Sequence, residues 1–199
     1  MISVSDKVHI DKVLSGDKDA FRYFIKTYQE MAYSIAIAMV KNEFNANDVV
    51  QNSFIRAYKG LRTYRADAKF STWFYKIVVN ETLKFLKKNK RYKEFITFMD
   101  DPMDYISTFN EAVNNFELFD KKMEIKKTMN LMKPKEALLL KLHYLHEEPI
   151  VEIEKITGFT KSNIKVLLHR ARKSFLALSV QHNNFKNEQN RKKHTETIN

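Results

Sequence analysis

Three glycines and three prolines are the only strong breakers in this 199-residue chain. Both residues disfavour helix interiors and both favour tight turns, so a chain with so few of them is built from long helices with few sharp reversals. No apolar–polar alternation of useful length occurs, which argues against a sheet. Hydrophobic residues make up 44% of the chain, enough for a packed core. The expected class is all-α. Cysteine is absent, which removes disulfides and thiolate metal sites. The opening MISVSDKVHIDKV lacks an apolar signal core, and no apolar run approaches the roughly eighteen residues of a membrane span. A soluble, cytoplasmic protein without membrane insertion is expected.

The net charge is +11, and its distribution is more informative than its sum. Residues 1–91 carry 17 Lys/Arg against 9 Asp/Glu, whereas residues 92–130 carry 5 against 8. Residues 131–178 return to 9 against 5, and the segment from 179 carries 4 against 2. Two basic lobes flank an acidic connector, a pattern that fits two contacts with nucleic acid joined by a segment that stays off it.

Residues 1–16 are polar and end in Ser15-Gly16-Asp17. Asp17 can cap a following helix in which Phe21, Phe24, Ile25, Tyr28, Ala32, Ile35 and Met39 recur at helical spacing as core. Asn45, with Asp48 three residues on, resembles a capping box for the next helix. Its buried side is Val50, Phe54, Ala57, Tyr58 and Leu61, and Gly60 can stop it. Its other side shows Asp48, Gln51, Asn52, Ile55, Arg56 and Lys59. Next comes a polar connector, LRTYRADAK, with Arg62, Tyr64, Arg65 and Lys69. Interleaved aromatics and cations can hold an unstacked base, although a plain inter-helix loop has the same composition.

The stretch from Phe70 to Arg91 reads as one helix, with Ser71 or Thr72 as candidate cap. Stepping about 100° per residue puts Phe74, Tyr75, Val78, Val79, Leu83, Phe85 and Leu86 on one side. Lys76, Asn80, Lys84, Lys87, Lys88 and Arg91 fall opposite, with Trp73 at the head of the stripe. A long cationic face suits a polyanion, because each neutralised phosphate releases counterions. A solvated lysine face is the alternative. Trp73 is expected to pack in the core.

Residues 92–116 lose the helical pattern and read as a flexible acidic linker. Asp100, Asp101 and Asp104 lack companions at ligand spacing, so a solvated acidic loop is expected rather than a metal site. Helical pattern returns from Glu117 to Leu131, and Pro134 suits the first position of another helix running to about Tyr144. A short helix, Ile150 to Thr157, then ends at Gly158. Phe159 fills the turn, and Thr160 caps a second helix with the stripe Ile164, Leu167, Leu168, Ala171, Phe175 and Leu178. Lys161, Lys165, Arg170, Arg172 and Lys173 make that helix basic. Short helix, glycine-containing turn and basic second helix form a helix-turn-helix. Residues 179–199 read as a disordered basic tail.

These two lobes together resemble the extracytoplasmic-function sigma factors of bacterial RNA polymerase. NDVVQNSFIRAYKGL (47–61) and FSTWFYKIVVN (70–80) are similar to the family's second conserved region. PKEALLLKLHYL and VEIEKITGFTKSNIKVLLHRARKSF are similar to its fourth. The resemblance implies an all-α chain of two small helical domains joined by a flexible linker: residues 1–91, linker 92–116, and a helix-turn-helix domain 117–178. It implies a non-enzymatic protein, with no cofactor or metal, that binds core RNA polymerase and directs promoter-specific initiation. Asp48, Gln51, Asn52 and Arg56 would dock on the largest polymerase subunit. Arg62, Tyr64, Arg65 and Lys69, with Lys76, Asn80 and Lys84, would recognise and open the minus-ten element, where extruding a base costs a few kcal/mol. Lys161, Ser162, Asn163, Lys165, Val166, His169, Arg170 and Lys173 would read the minus-thirty-five element in the major groove. An anti-sigma factor is a compatible further partner. Against the family pattern, Glu154 stands where a small residue is usual, Thr157 where Leu is usual, and Pro149 stands at the entry to the first helix.

Two other classes compete. A helix-turn-helix regulator that acts without polymerase accounts for residues 131–178 but gives the Phe70 helix no task. A nuclease or integrase needs carboxylates gathered at one site, and here the acids are scattered.

Overall fold

The computed structural model describes residues 3–89 and 118–196, with side chains described for 3–89 and 124–180. The expected linker, its three aspartates and Arg91 lie outside the described residues. All elements among the described residues are helical: α1 (Val4–Leu14), a 3-10 turn (Lys18–Phe21), α2 (Arg22–Val40), α3 (Glu43–Gly60), a 3-10 turn (Leu61–Thr63), α4 (Phe70–Lys88), α5 (Leu118–Leu131), α6 (Pro134–Leu140), α7 (Ile150–Thr157) and α8 (Lys161–Glu196).

The first lobe packs α2, α3 and α4 around an aromatic core. Phe24, Phe70 and Phe74 have no exposed surface, and the rings pack at shallow tilts: the Phe24 centroid lies 4.3 Å from that of Phe70, and the Phe54 centroid 4.6 Å from that of Phe74. Such pairs add roughly 0.5–1.5 kcal/mol beyond their burial. The α4 pattern holds. Phe74, Tyr75, Val78, Val79 and Leu86 are buried, Leu83 and Phe85 half-buried, and Lys76, Asn80, Lys84, Lys87 and Lys88 exposed.

Three local expectations need correction. The α3 cap is Asn42, whose Oδ1 accepts the Asn45 N–H at 3.0 Å; Asn45 is the third residue of the helix rather than its start. Neither Ser71 nor Thr72 caps α4, which begins at Phe70 after Lys69 with no side-chain cap. The Thr72 hydroxyl is committed elsewhere, donating to Glu152 Oε2 at 2.7 Å. Residues 4–14, read as polar lead-in, form α1. It is fixed by a buried carboxylate: Asp6 accepts from the Tyr23 hydroxyl (3.1 Å) and the Tyr28 hydroxyl (2.9 Å).

In the second lobe Pro134 occupies the first turn of α6, where its missing N–H costs nothing. That helix then widens into a π-helical turn, Lys141–Leu145. Helix α7 stops at Gly158 with φ +77°, in the left-handed region glycine tolerates best. Thr160 Oγ1 then accepts the Asn163 N–H at 3.3 Å as α8 begins. Ile164, Leu167, Leu168 and Ala171 are buried as the stripe requires, with Phe175 and Leu178 packed at its edge. The helix does not give way to an irregular tail after 178; its backbone continues to Glu196. No glycine or proline follows Gly158, so nothing in the sequence breaks it.

The unusual residues of the motif fit without distorting it. Thr157 donates to Ile153 O at 2.7 Å and accepts the Phe159 N–H at 3.2 Å, bracing the turn. Glu154 faces outward, 4.0 Å from the Lys161 ammonium. Pro149 is the extended residue before α7, and its carbonyl accepts the Ile153 N–H at 3.0 Å. Lys135, almost wholly buried, sets its ammonium 5.5 Å from the Phe159 ring centroid.

The lobes also touch. Helix α6 packs on α2 and α7 on the head of α4. Lys141 Nζ donates to Ser34 O (3.1 Å) and Lys41 Nζ to Met129 O (2.7 Å) across the joint.

Candidate nucleic-acid interface

The loop between α3 and α4 is a closed ring held by its own polar groups. Leu61 is buried and anchors it, and Thr63 Oγ1 donates to Gly60 O at 2.7 Å. The Tyr64 hydroxyl donates to Ala68 O at 2.6 Å, spanning the loop. Ala66 adopts φ +59°, a conformation uncommon for a residue with a β-carbon. The Tyr64 ring is half-buried against Phe70 and Trp73, with centroids 5.8 and 5.3 Å away. Tyr64 therefore serves as the keystone of the loop, while Arg62, Arg65 and Lys69 stand exposed around it. Trp73 is half-buried at the edge of the core, 5.4 Å from Phe70, and a β-carbon at Gly60 would come 3.7 Å from its ring.

Lys76, Asn80 and Lys84 follow one another at four-residue spacing on the exposed face of α4. Beside them runs a groove of about 320 Å³ between α3 and α4, bounded by Arg56, Asn80, Glu81, Lys84 and Lys87 with Ile77 and Leu83 at its base. The sequence reading overlooked Glu81. Its Oε1 accepts from Lys84 at 2.8 Å and lies 3.2 Å from Arg56 Nη1, so one carboxylate links α3 to the cationic stripe of α4. It stands one turn ahead of Lys84 on a face otherwise lacking acids, which is the signal that could have revealed it.

Asp48, Gln51, Asn52 and Arg56 are all exposed along α3, with Ile55 among them. On α8, Lys161, Ser162, Lys165 and Lys173 are exposed, and Asn163, Val166, His169 and Arg170 are partly so. They occupy the first turns of the helix after the Gly158 reversal. Arg172 donates to the Tyr144 hydroxyl at 3.0 Å and is thereby tied to α6 and its π-turn.

The two cationic faces thus belong to different lobes, on α4 and its preceding loop and on α8. Among the described residues no group of three or more acidic or histidine side chains could hold a metal, and no helix is long and apolar enough to cross a membrane.

Comparison with known proteins agrees with this division. Residues 24–92 match Sigma-70 region 2, and residues 122–175 match Sigma-70, region 4. The ECF RNA polymerase sigma factor SigW of Bacillus subtilis is 28% identical over 177 residues, 84% of this chain and 93% of SigW. The ECF RNA polymerase sigma-E factor of Escherichia coli K12 is 36% identical over 83 residues, 42% of this chain and 43% of that protein. The fold is similar to the sigma factor RpoE in its complex with the anti-sigma factor NepR from Bartonella quintana. That match has a TM-score of 0.59 at 17% identity, over 79% of this chain and 95% of the other. It is also similar to CnrH in complex with the cytosolic domain of CnrY, with a TM-score of 0.60 at 18% identity, over 87% and 96%. With both conserved regions in order on an all-helical frame, the chain belongs to the sigma-70 family, as an extracytoplasmic-function sigma factor of RNA polymerase.

Proposed function

We propose that this sigma factor opens its promoters through the face formed by the 61–69 loop and α4, while α8 reads the upstream element. Arg62, Arg65 and Lys69 ring the loop, and Lys76, Asn80 and Lys84 continue the path along the helix, so a displaced strand can run from one to the other. Cations track its phosphates, and the closed loop offers a rigid edge against which a base leaves the stack. Lys161, Ser162, Asn163 and Lys165 lead α8 into the major groove. Val166 and His169 follow on the base side, and Arg170 and Lys173 reach phosphates. Asp48, Gln51, Asn52 and Arg56 dock on core polymerase. The domains divide as residues 1–91 and 117–178. The protein works in the cytoplasm, where polymerase is, and an anti-sigma factor is a natural regulator, since two structurally similar proteins were solved with partners named as such or as a cytosolic domain.

The observation that carries this reading is the exposure of the α4 cationic stripe beside a self-braced loop, for which DNA reading by the helix-turn-helix alone has no use. The test is charge reversal at Lys84, Lys87 and Lys88, measured by permanganate footprinting and by co-purification with core polymerase. Open-complex formation should fall at least about tenfold while core association stays within about twofold, because phosphate contacts act on DNA alone. Equal loss of both would contradict the DNA path.

A further inference from the structure

Glu81 sits in the groove between α3 and α4 with its side chain 15% exposed, while its two cationic partners stand at the rim, Arg56 at 60% and Lys84 at 55%. One oxygen serves both. Glu81 Oε1 accepts from the Lys84 ammonium at 2.8 Å within α4, and it lies 3.2 Å from Arg56 Nη1 on α3. The acceptor is sheltered and the donors are not. With partners this exposed, each pair adds at most about 1 kcal/mol to folding. The arrangement therefore matters more for where the cations stand than for stability. A long lysine side chain gives up about 1.5–2 kcal/mol of rotamer freedom when it is fixed. Contact with Glu81 removes part of that freedom before DNA arrives. An ammonium has three donors, so the Lys84 donors that Glu81 does not take stay available for phosphate. The acid does not repel a strand at full strength either, because two cations share it and the trio keeps a net positive charge.

We propose that Glu81 is a positioning residue for the displaced minus-ten strand: tied to α3 through Arg56, it holds the Lys84 ammonium at one place on the path along α4. The inference rests on the assignment of Lys84 to that path. Its consequence is opposite in sign to that of charge alone. An acid that only dilutes a cationic surface weakens the attraction for phosphate, so removing it strengthens DNA binding. An acid that places Lys84 does the reverse: without it the ammonium wanders, and the phosphate contact is lost.

The test uses the full chain with core polymerase on a promoter recovered by run-off selection. Permanganate footprinting across a salt series gives the open-complex equilibrium and its salt slope for four variants: Lys84→Ala, Glu81→Gln, Glu81→Asp, and Glu81→Gln joined to Lys84→Ala. Lys84→Ala should lower the slope by about 0.7, the increment of one single-strand phosphate. Glu81→Gln keeps the shape and removes the charge. It should lower the slope equally and reduce the open complex about three- to tenfold, the range set by a lysine released from its place. Glu81→Asp keeps the charge and withdraws it by one methylene, and it should shift both readouts the same way. The double variant should match Lys84→Ala within about twofold, because a residue acting through Lys84 then has nothing left to place. An open complex that is unchanged or favoured in Glu81→Gln overturns the proposal, as does a further loss in the double variant. A Glu81 variant that loses core association together with urea stability makes Glu81 a packing residue and overturns it too. Failure of the Lys84 assignment is read separately: Lys84→Ala then leaves slope and open complex unchanged, and the strand path and the positioning role fall together.

Discussion

Asp6 carries a residue-scale consequence that its sequence position does not advertise. It is 3% exposed and takes hydrogen bonds from two tyrosines of α2. Burial, then the Asp6 charge, drives the Tyr28 hydroxyl well above its usual range, so it remains a donor at any working pH. Asp6→Ala leaves two partly buried hydroxyls without their acceptor, and we expect a loss of about 1–3 kcal/mol in urea unfolding. A change within 0.5 kcal/mol, the range of ordinary surface substitutions, would show that α1 is not fastened this way. Gly158 is the second such position. At φ +77° an added β-carbon meets no neighbour within 4 Å, so Gly158→Ala carries backbone strain alone, about 1–2 kcal/mol. The expected readout is weaker binding of duplex minus-thirty-five DNA with binding of single-stranded minus-ten DNA unaffected. Parallel loss of both would contradict the separation of roles. Only one of these two roles is legible in the sequence. Gly158 was read correctly as a helix stop, but nothing in MISVSDKVHIDKV announces a carboxylate whose partners lie 17 and 22 residues away.

Among elements, α4 and the α7–α8 pair were the most legible, because each carries an apolar stripe of helical period opposite an unbroken polar face. The joint between lobes was the least legible, although α2 holds a sign of it. Residues 35–40, Ile-Ala-Ile-Ala-Met-Val, are all buried, and a helix buried all round needs a second cover. That cover is α6. Sequence period can report that a face is buried but not which distant segment buries it. The joint also carries a pH signature. Burial, then the charge of Lys141, lowers Lys41 to about 8; burial, then Lys126, lowers Lys141 to about 8. His146, lowered to about 4 by burial and then by Lys141, stays neutral throughout, and the Glu43 carboxylate lies 4.0 Å from Lys126. Folded values below the ordinary 10.5 mean that the unfolded chain binds more protons between about pH 8 and 10.5, so stability rises with pH across that window. The raised tyrosines, Tyr28, Tyr33, Tyr64 and Tyr75, oppose this above about pH 10, where unfolding would let them ionise more readily. Urea midpoints should therefore climb from pH 8 to 9.5, and Lys41→Met with Lys141→Met should flatten the climb. A flat profile in the parent would contradict the burial of both ammonium groups.

For the whole molecule, the account needs two cationic faces in separate lobes serving one promoter on one polymerase. The division into lobes followed from charge blocks and helical period, since both are properties of local sequence. The docking of the lobes on each other did not, since it depends on a joint that mixes apolar, cationic and acidic groups in no repeating order. The most direct measurement is run-off transcription by core polymerase on a library of random promoter sequences, with and without this chain. The expected result is a set of chain-dependent transcripts that start at a fixed distance from a shared two-part motif. A chain that binds duplex DNA yet adds no transcript and never associates with core polymerase would contradict the account.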